Sequence, residues 1–334
     1  MGNQLKTFPT AYGSRNQVVV VADDEVWKSA IGDSIRYYYS SAYPILPQPE
    51  PIFDLTHYTP EELEEDQFKK QLRNYLIVGD LQNMDSPTTQ FILKNLGEEK
   101  VKSVKADQNN STAVGTDKWA KGQLLVFLYS DDETLLKEQI INTFPAIKKR
   151  IDQANRSKII ATLYVNGENN IIIKEMQDAM QVKMRVAKRV FTALNEENTY
   201  WIRRETPVSS SNIMIFKTPY KSQSQLSRPY LKAVQDSLGK KLVSSELEGT
   251  YMQINDIDLP MLTEVTSLNG NYALEARGIW EIVNDYMGGA FVSYLTVNPK
   301  NSQLLFINAF VHAPGEDKRE FVQDLEYIVS TLEF

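Results

Sequence analysis

The stretch Tyr272-Ala273-Leu274-Glu275-Ala276-Arg277-Gly278-Ile279-Trp280-Glu281-Ile282 decides how the second half of the chain folds. Side chains alternate between the two faces of a strand, so Leu274, Ala276, Trp280 and Ile282 share one face. Glu275, Arg277 and Glu281 share the other, which is expected to be solvated or interfacial. Glu275 and Arg277 stand about 7 Å apart along such a strand, close enough to pair. Glu275 and Glu281 stand about 20 Å apart, too far for the acid pair of a glycosidase. Gly278 marks either a bulge or the close approach of another segment.

Working outward, Asp285-Tyr286-Met287-Gly288-Gly289 connects this strand to the next, at 291–297. Paired glycines suit a tight turn, because they adopt positive φ without a Cβ clash, and they also let a ligand approach the backbone. Turn residues at 298–301 lead to a third strand at 303–312, which completes an antiparallel meander. Pro314 is placed at the start of a closing helix, where its missing N–H is harmless. Phe321, Leu325, Ile328 and Leu332 make one apolar stripe on that helix. Upstream, strands are expected at 200–202, 213–216 and 251–254, with a helix at 225–238.

In the first half, Val18-Val19-Val20-Val21-Ala22 reads as a buried strand. Asp23-Asp24-Glu25 then opens a helix to about residue 39, with acids where the helix dipole favours them. Pro44, Pro47, Pro49 and Pro51 exclude regular helix and make a stiff extended connector. Further strands are expected at 52–57, 74–79 and 124–128. Asp131-Asp132-Glu133 starts a largely helical stretch to about residue 194, broken near Pro145 and at Asn166-Gly167. Met176, Met180 and Met184 recur at helical spacing there and read as core. The expected fold is α+β: mainly antiparallel sheets packed with helices, in two lobes joined by a long helical segment. The boundaries are a flexible N-terminal tether at 1–16, an N-terminal α+β lobe at 17–130, the helical segment at 131–195, and an antiparallel-sheet plus helix lobe at 196–334.

Composition excludes several chemistries. Lys and Arg total 36 against 43 Asp and Glu, a net charge of −7. That disfavours broad binding to nucleic acid or to an anionic lipid surface, and no nucleic-acid partner is expected. The absence of cysteine removes disulfides, thiolate catalysis and cysteine zinc sites. Only His57 and His312 offer imidazoles, so a three-histidine site within one chain is excluded, and no metal is expected. No G-x-G-x-x-G follows a strand, and neither a P-loop, a G-x-S-x-G nor an H-E-x-x-H occurs, so no cofactor is expected. No apolar run approaches the roughly 20 residues that span a bilayer. His312 ends a strand and reads as packing or a strand-end hydrogen bond, as does His57. No residue is assigned a catalytic role. The candidate binding set is Glu275, Arg277, Glu281, Asp285, Gly288, Gly289 and His312.

The run Glu275-Ala276-Arg277-Gly278-Ile279-Trp280-Glu281, with Asp285-Tyr286-Met287-Gly288-Gly289-Ala290-Phe291-Val292-Ser293, resembles a family of bacterial envelope proteins, domain of unknown function 4837. Ala309-Phe310-Val311-His312-Ala313-Pro314 is similar to that family as well. So are Val19-Val20-Val21 with Asp24-Glu25-Val26-Trp27, and Leu46-Pro47-Gln48-Pro49-Glu50-Pro51. The resemblance implies an envelope lipoprotein of Gram-negative bacteria, in the periplasm or at the outer membrane. It implies a signal peptide and a lipidated cysteine just upstream of the polar lead-in, and membrane attachment only through that anchor. It implies no activity. The expected function is that of an uncharacterised cell-envelope lipoprotein, a non-catalytic binding protein whose partner is an envelope protein or a glycan. The alternatives are a hydrolase using Glu275, Glu281 and Asp285, and a small-ligand carrier using a groove between lobes.

Overall fold

A computed structural model describes residues 8–103 and 111–334. The chain divides into two units, Met1–Ser41 with Pro51–Lys158 and Ala42–Glu50 with Ile159–Phe334. The fold is α+β. Of the lead-in expected as a tether, residues 1–7 lie outside the described residues. Its remainder is packed: Ala11 and Asn16 are buried, Thr10 bridges to Lys121, and the Asn16 carbonyl accepts from Asp54 N at 2.8 Å.

The first unit is built on β1 (Gln17–Val21), β2 (Asp54–Tyr58), β3 (Asn74–Asp80), β4 (Thr112–Thr116) and β5 (Leu124–Ser130). Their order is β2-β1-β3-β5-β4. The pairs β1–β2, β1–β3 and β3–β5 are parallel, and only β4 runs antiparallel to its neighbour. Parallel neighbours require crossovers, and helices supply them. They are α1 (Asp24–Lys28), α2 (Ala30–Tyr39), α3 (Pro60–Glu65), α4 (Pro87–Leu96) and α5 (Glu98–Lys102), followed after β5 by α6 (Glu133–Leu163). Both faces of this sheet carry apolar cores, which explains runs such as Val18–Val21 that do not alternate. The single helix expected at 25–39 is two, because Ser29 is extended and its Oγ accepts from Ile31 N. Asp132 Oδ1 accepts from Leu135 N at 3.0 Å, so the acids before α6 cap it. The break expected at Pro145 is not there. The carbonyl left without its helical donor is that of Ile141, a residue on the exposed side of the helix.

The second unit holds α7 (Asn170–Met180), β6 (Phe191–Glu196), β7 (Thr199–Glu205), β8 (Ser210–Pro219), α8 (Arg228–Leu242), β9 (Tyr251–Asn255), β10 (Leu262–Leu268), β11 (Asn271–Val283), β12 (Gly288–Asn298), β13 (Gln303–His312) and α9 (Arg319–Ser330). An antiparallel sheet runs β10-β11-β12-β13-β8-β7-β6, and β9 pairs with the far half of β11. Both of its faces are covered. Met176, Met180, Ile307 and Leu325 lie in the core on one face, Leu231, Met252, Trp280 and Phe291 in the core on the other. Met184 reaches the first core from beyond the helix, because Gln181 turns left-handed at φ 58° and ends α7. Pro314 precedes α9 by several residues rather than opening it.

The alternation along β11 holds throughout. Gly278 pairs with Phe291 in unbroken register, so it is a close approach and not a bulge. A Cβ there would lie 2.7 Å from the Phe291 ring. Gly288 and Gly289 are strand residues, and the left-handed residue of the turn is Asn284, at φ 64°. Proximity, not φ, demands glycine at 289: a Cβ would lie 1.9 Å from Val311 O and 3.0 Å from the Trp280 indole nitrogen. Trp280 is 3% exposed and donates from Nε1 to Val311 O at 3.3 Å. Trp280→Ala should therefore lower unfolding free energy by about 3–5 kcal/mol in denaturant melts. Gly289→Ala should cost at least about 1–3 kcal/mol. Adding Trp280→Ala to it should not restore stability, because the closest clash is with backbone. A Gly289→Ala protein as stable as the unmodified chain would refute this packing.

Candidate functional site

On the face of β11 expected to be solvated or interfacial, Glu275 and Arg277 are largely buried and meet α9. Arg277 lies between two carboxylates, its side chain 18% exposed. Its Nε donates to Glu275 Oε1 at 2.6 Å, and its Nη1 faces Glu326 Oε1, from α9. Glu275 itself is 6% exposed. Tyr43, from the 42–50 segment, donates its hydroxyl to Glu326 Oε2 at 2.9 Å. Tyr294, from β12, stands beside Glu275. Register explains the gathering, since Glu275 pairs with Tyr294 across β11 and β12.

The electrostatics follow from burial and the excess of acid. Burial pulls the Arg277 guanidinium down, but Glu326, Tyr43 and Glu275 together hold it above its ordinary value. Burial pushes the Glu326 carboxyl up, against the pull of Arg277. Burial also lifts the Tyr43 and Tyr294 hydroxyls well above the usual phenol range, so both remain donors at neutral pH.

The other candidates are engaged elsewhere. Glu281 accepts from Gln253 Nε2 at 2.8 Å and from Asn255 Nδ2 at 2.9 Å, beside β9. Asp285 Oδ1 accepts from Tyr286 N in the turn. His312 Nδ1 lies 3.1 Å from Gly288 O, the strand-end hydrogen bond expected of it. His312 also lines an open pocket of about 320 Å³ with Arg203, Glu205, Ser209 and Ser210. There Ser210 Oγ accepts from Arg203 Nε and Asn212 Nδ2. His57 Nε2 lies 2.9 Å from Ala22 O, and its ring stacks on Trp27 at 4.9 Å. Of the candidate set, only Glu275 and Arg277 touch through their side chains. Among the described residues no three His, Asp or Glu side chains are grouped to hold a metal.

Sequence reasoning missed Glu326, Tyr43 and Tyr294. The legible signal was Glu326, a carboxylate one helical turn from Val322 and Val329 on the buried face of α9. Tyr43 carried none, since nothing local ties the 42–50 segment to residues nearly three hundred positions away.

Arg277→Met leaves two carboxylates without their cation and should cost about 3–5 kcal/mol at neutral pH. In that variant the Glu326 carboxyl, raised by burial, loses the pull of Arg277 that opposed the rise. Stability from its protonated form is complete below the unfolded value, about 4.3, and lost as pH rises through the folded one. The deficit against the unmodified protein should therefore grow from pH 4 to 7. Glu326→Gln should show the opposite trend. The Glu326 carboxyl is raised in the folded protein, so its contribution fades with rising pH and the amide gains relative stability. Denaturant midpoints across that range decide it, and parallel pH trends for the two variants would refute the cluster.

None of the curated proteins matches the chain. Among solved structures, the Ran-binding protein Mog1p of Saccharomyces cerevisiae is 8% identical, with 46% of this chain and 89% of that chain covered and a TM-score of 0.31. A Bacteroides thetaiotaomicron protein is 10% identical, covering 46% of this chain and 44% of that one, with a TM-score of 0.26. The human StarD13 lipid transfer and protein localization domain is 11% identical, covering 42% and 88%, with a TM-score of 0.22. Family models divide the chain. The segments at 19–27 and 46–51 that resembled one family fall inside the match to another, DUF8532, at residues 11–164. Residues 169–331 match the other model, Domain of unknown function (DUF4837), and residues 11–164 match Domain of unknown function (DUF8532).

Proposed function

We propose that this chain is a non-catalytic binding protein of the bacterial cell envelope, attached to a membrane through a lipidated cysteine upstream of residue 1, with an envelope protein or glycan as partner. One observation carries the non-catalytic part: the carboxylates a hydrolase would use are already engaged. Glu275 is paired with Arg277, and Glu281 holds two side-chain amides. An acid–base pair needs one group free to give a proton and another free to take it at the substrate. Among the described residues no helix is long and apolar enough to cross a membrane. The envelope location rests on the resemblance to envelope lipoproteins.

Two measurements test the reading. Cells expressing the gene from its own start should incorporate labelled palmitate into the protein, through a cysteine that precedes residue 1. A reading frame beginning at Met1, with no label and a cytosolic product, would remove the anchor. Glu281→Gln and Asp285→Asn proteins should each complement a deletion strain as well as the unmodified gene. A hydrolase that used either group would lose about 100-fold or more in rate. A folded variant that fails to complement would therefore restore the enzyme reading.

A further inference from the structure

Among the described residues, five strands have a free side: β2, β4, β6, β10 and β9, whose outward amides at Met252 and Ile254 are taken by Val243 O and Asp236 Oδ1. A free edge exposes a row of backbone donors and acceptors, and proteins blunt it with short strands, bulges, glycine, proline or lysine. β2 and β4 have 5 residues each, and β4 contains Gly115. β6 shifts register between Thr192 and Leu194. β10 has none of these devices, and the one charge it carries is Glu264. It runs 7 residues in unbroken register with β11, from Leu262 opposite Arg277 to Leu268 opposite Asn271. Leu262 is 48% exposed on one face of it and Val265 67% exposed on the other, where Tyr272 of β11, opposite Ser267, is exposed too.

The sequence of this edge names its occupant. Leu262-Thr263-Glu264-Val265-Thr266-Ser267-Leu268 reads nearly the same from either end about Val265. We propose that β10 pairs antiparallel with β10 of a second copy of this chain, about a two-fold axis through Val265 and normal to the sheet. Leu262 then faces the partner's Leu268, Thr263 the partner's Ser267, and Glu264 the partner's Thr266. Val265 faces the partner's Val265. Opposed β-branched side chains and opposed hydroxyls are favourable cross-strand pairs, and opposed like charges are not. The one charge on the strand, Glu264, meets a hydroxyl. Moving the axis to Glu264 would set that carboxylate against its own copy. Moving it to Thr266 would set Glu264 against leucine and leave Leu262 beyond the end of the pairing. In the register about Val265 each face of β10 continues onto the same face of its copy. Such an interface uses one patch on both subunits and closes, so it yields a dimer and no fibre. The proposal is independent of the binding reading above and stands or falls without it.

Sedimentation equilibrium of the full chain reads the result. The unmodified protein should reach twice the 38.2 kDa of one chain as concentration rises. Val265→Lys and Val265→Glu each place like charges face to face and should weaken the dimer by more than about tenfold. Val265 is mostly exposed, so circular dichroism should not change, and at concentrations where the unmodified chain is monomeric neither should the melting temperature. An equimolar mixture of the two variants should recover the dimer, because lysine then faces glutamate. An unmodified chain that stays monomeric overturns the proposal, even if an unrelated extended peptide binds the edge. A dimer that survives Val265→Lys overturns it too, and variants that fail to recover on mixing overturn the register.

Discussion

The ion cluster at Arg277 is the constraint on which the second unit depends. A guanidinium on β11 is enclosed by Glu275 beside it on the strand, Glu326 on the helix above and Tyr43 from the 42–50 segment. Removing such charges from water is costly, and a buried pair of this kind adds little net stability over an apolar replacement. What it adds is selectivity among packings. α9 can lie on the sheet only where Glu326 meets Arg277, because any other placement strands a charge. The same segment holds the start of the helix. Glu50 accepts from Lys318 N at 2.6 Å and Arg319 N at 3.0 Å, so a carboxylate occupies the positive end of α9. Two side chains from residues 42–50 thus fix that helix at its first turn and at its middle.

That arrangement is available only because the sheet is covered on both sides. A strand with one solvated face would leave Arg277 in water, where its pairs would be worth little. In β11 the alternation delivers Trp280 to one core and Arg277 to the edge of the other. Close packing then makes its own demands. Phe291 lies against the backbone at Gly278, and the Trp280 indole lies over Gly289 while bonding Val311 O. Glycine at these positions is set by neighbours on the adjacent strands.

Period-2 patterning is local, which is why the two faces of residues 272–282 were legible in the sequence. What covers each face is not local, and the pattern left the charged face as either solvated or interfacial because the helix it meets, α9, lies some forty residues on. The α+β class was legible for the same reason. The parallel pairing of the first unit was not specified, although runs such as Val18–Val21 and Leu124–Tyr129, apolar at every position, are its usual sign. Breaks fared worst. Pro145 sits in a helix where the carbonyl left without a donor belongs to a residue on the exposed side, and Ser29 splits a helix by a side-chain cap that the pattern did not mark. The glycine pair was assigned to a turn because positive φ is the commoner reason for glycine, yet Asn284 supplies it there.

The residues that carry the family resemblance can now be given physical reasons. Glu275 and Arg277 form the buried pair, Gly278 admits Phe291, Trp280 covers Gly289, and Gly288 keeps a Cβ from lying 2.8 Å from Trp280 O. Each answers to packing or charge pairing within one corner of one sheet. A sequence signature of this kind marks an architecture, and it would persist among proteins with unrelated partners. Function is then better sought where the architecture leaves something unused. The outer edge of β10 is such a place, with backbone groups unpaired among the described residues and apolar side chains in solvent. The cluster that makes the fold recognisable supports this edge directly. β10 hangs on β11, with Leu262 opposite Arg277 and Glu264 opposite Glu275, so the buried pair sets the position of the strand that faces outward.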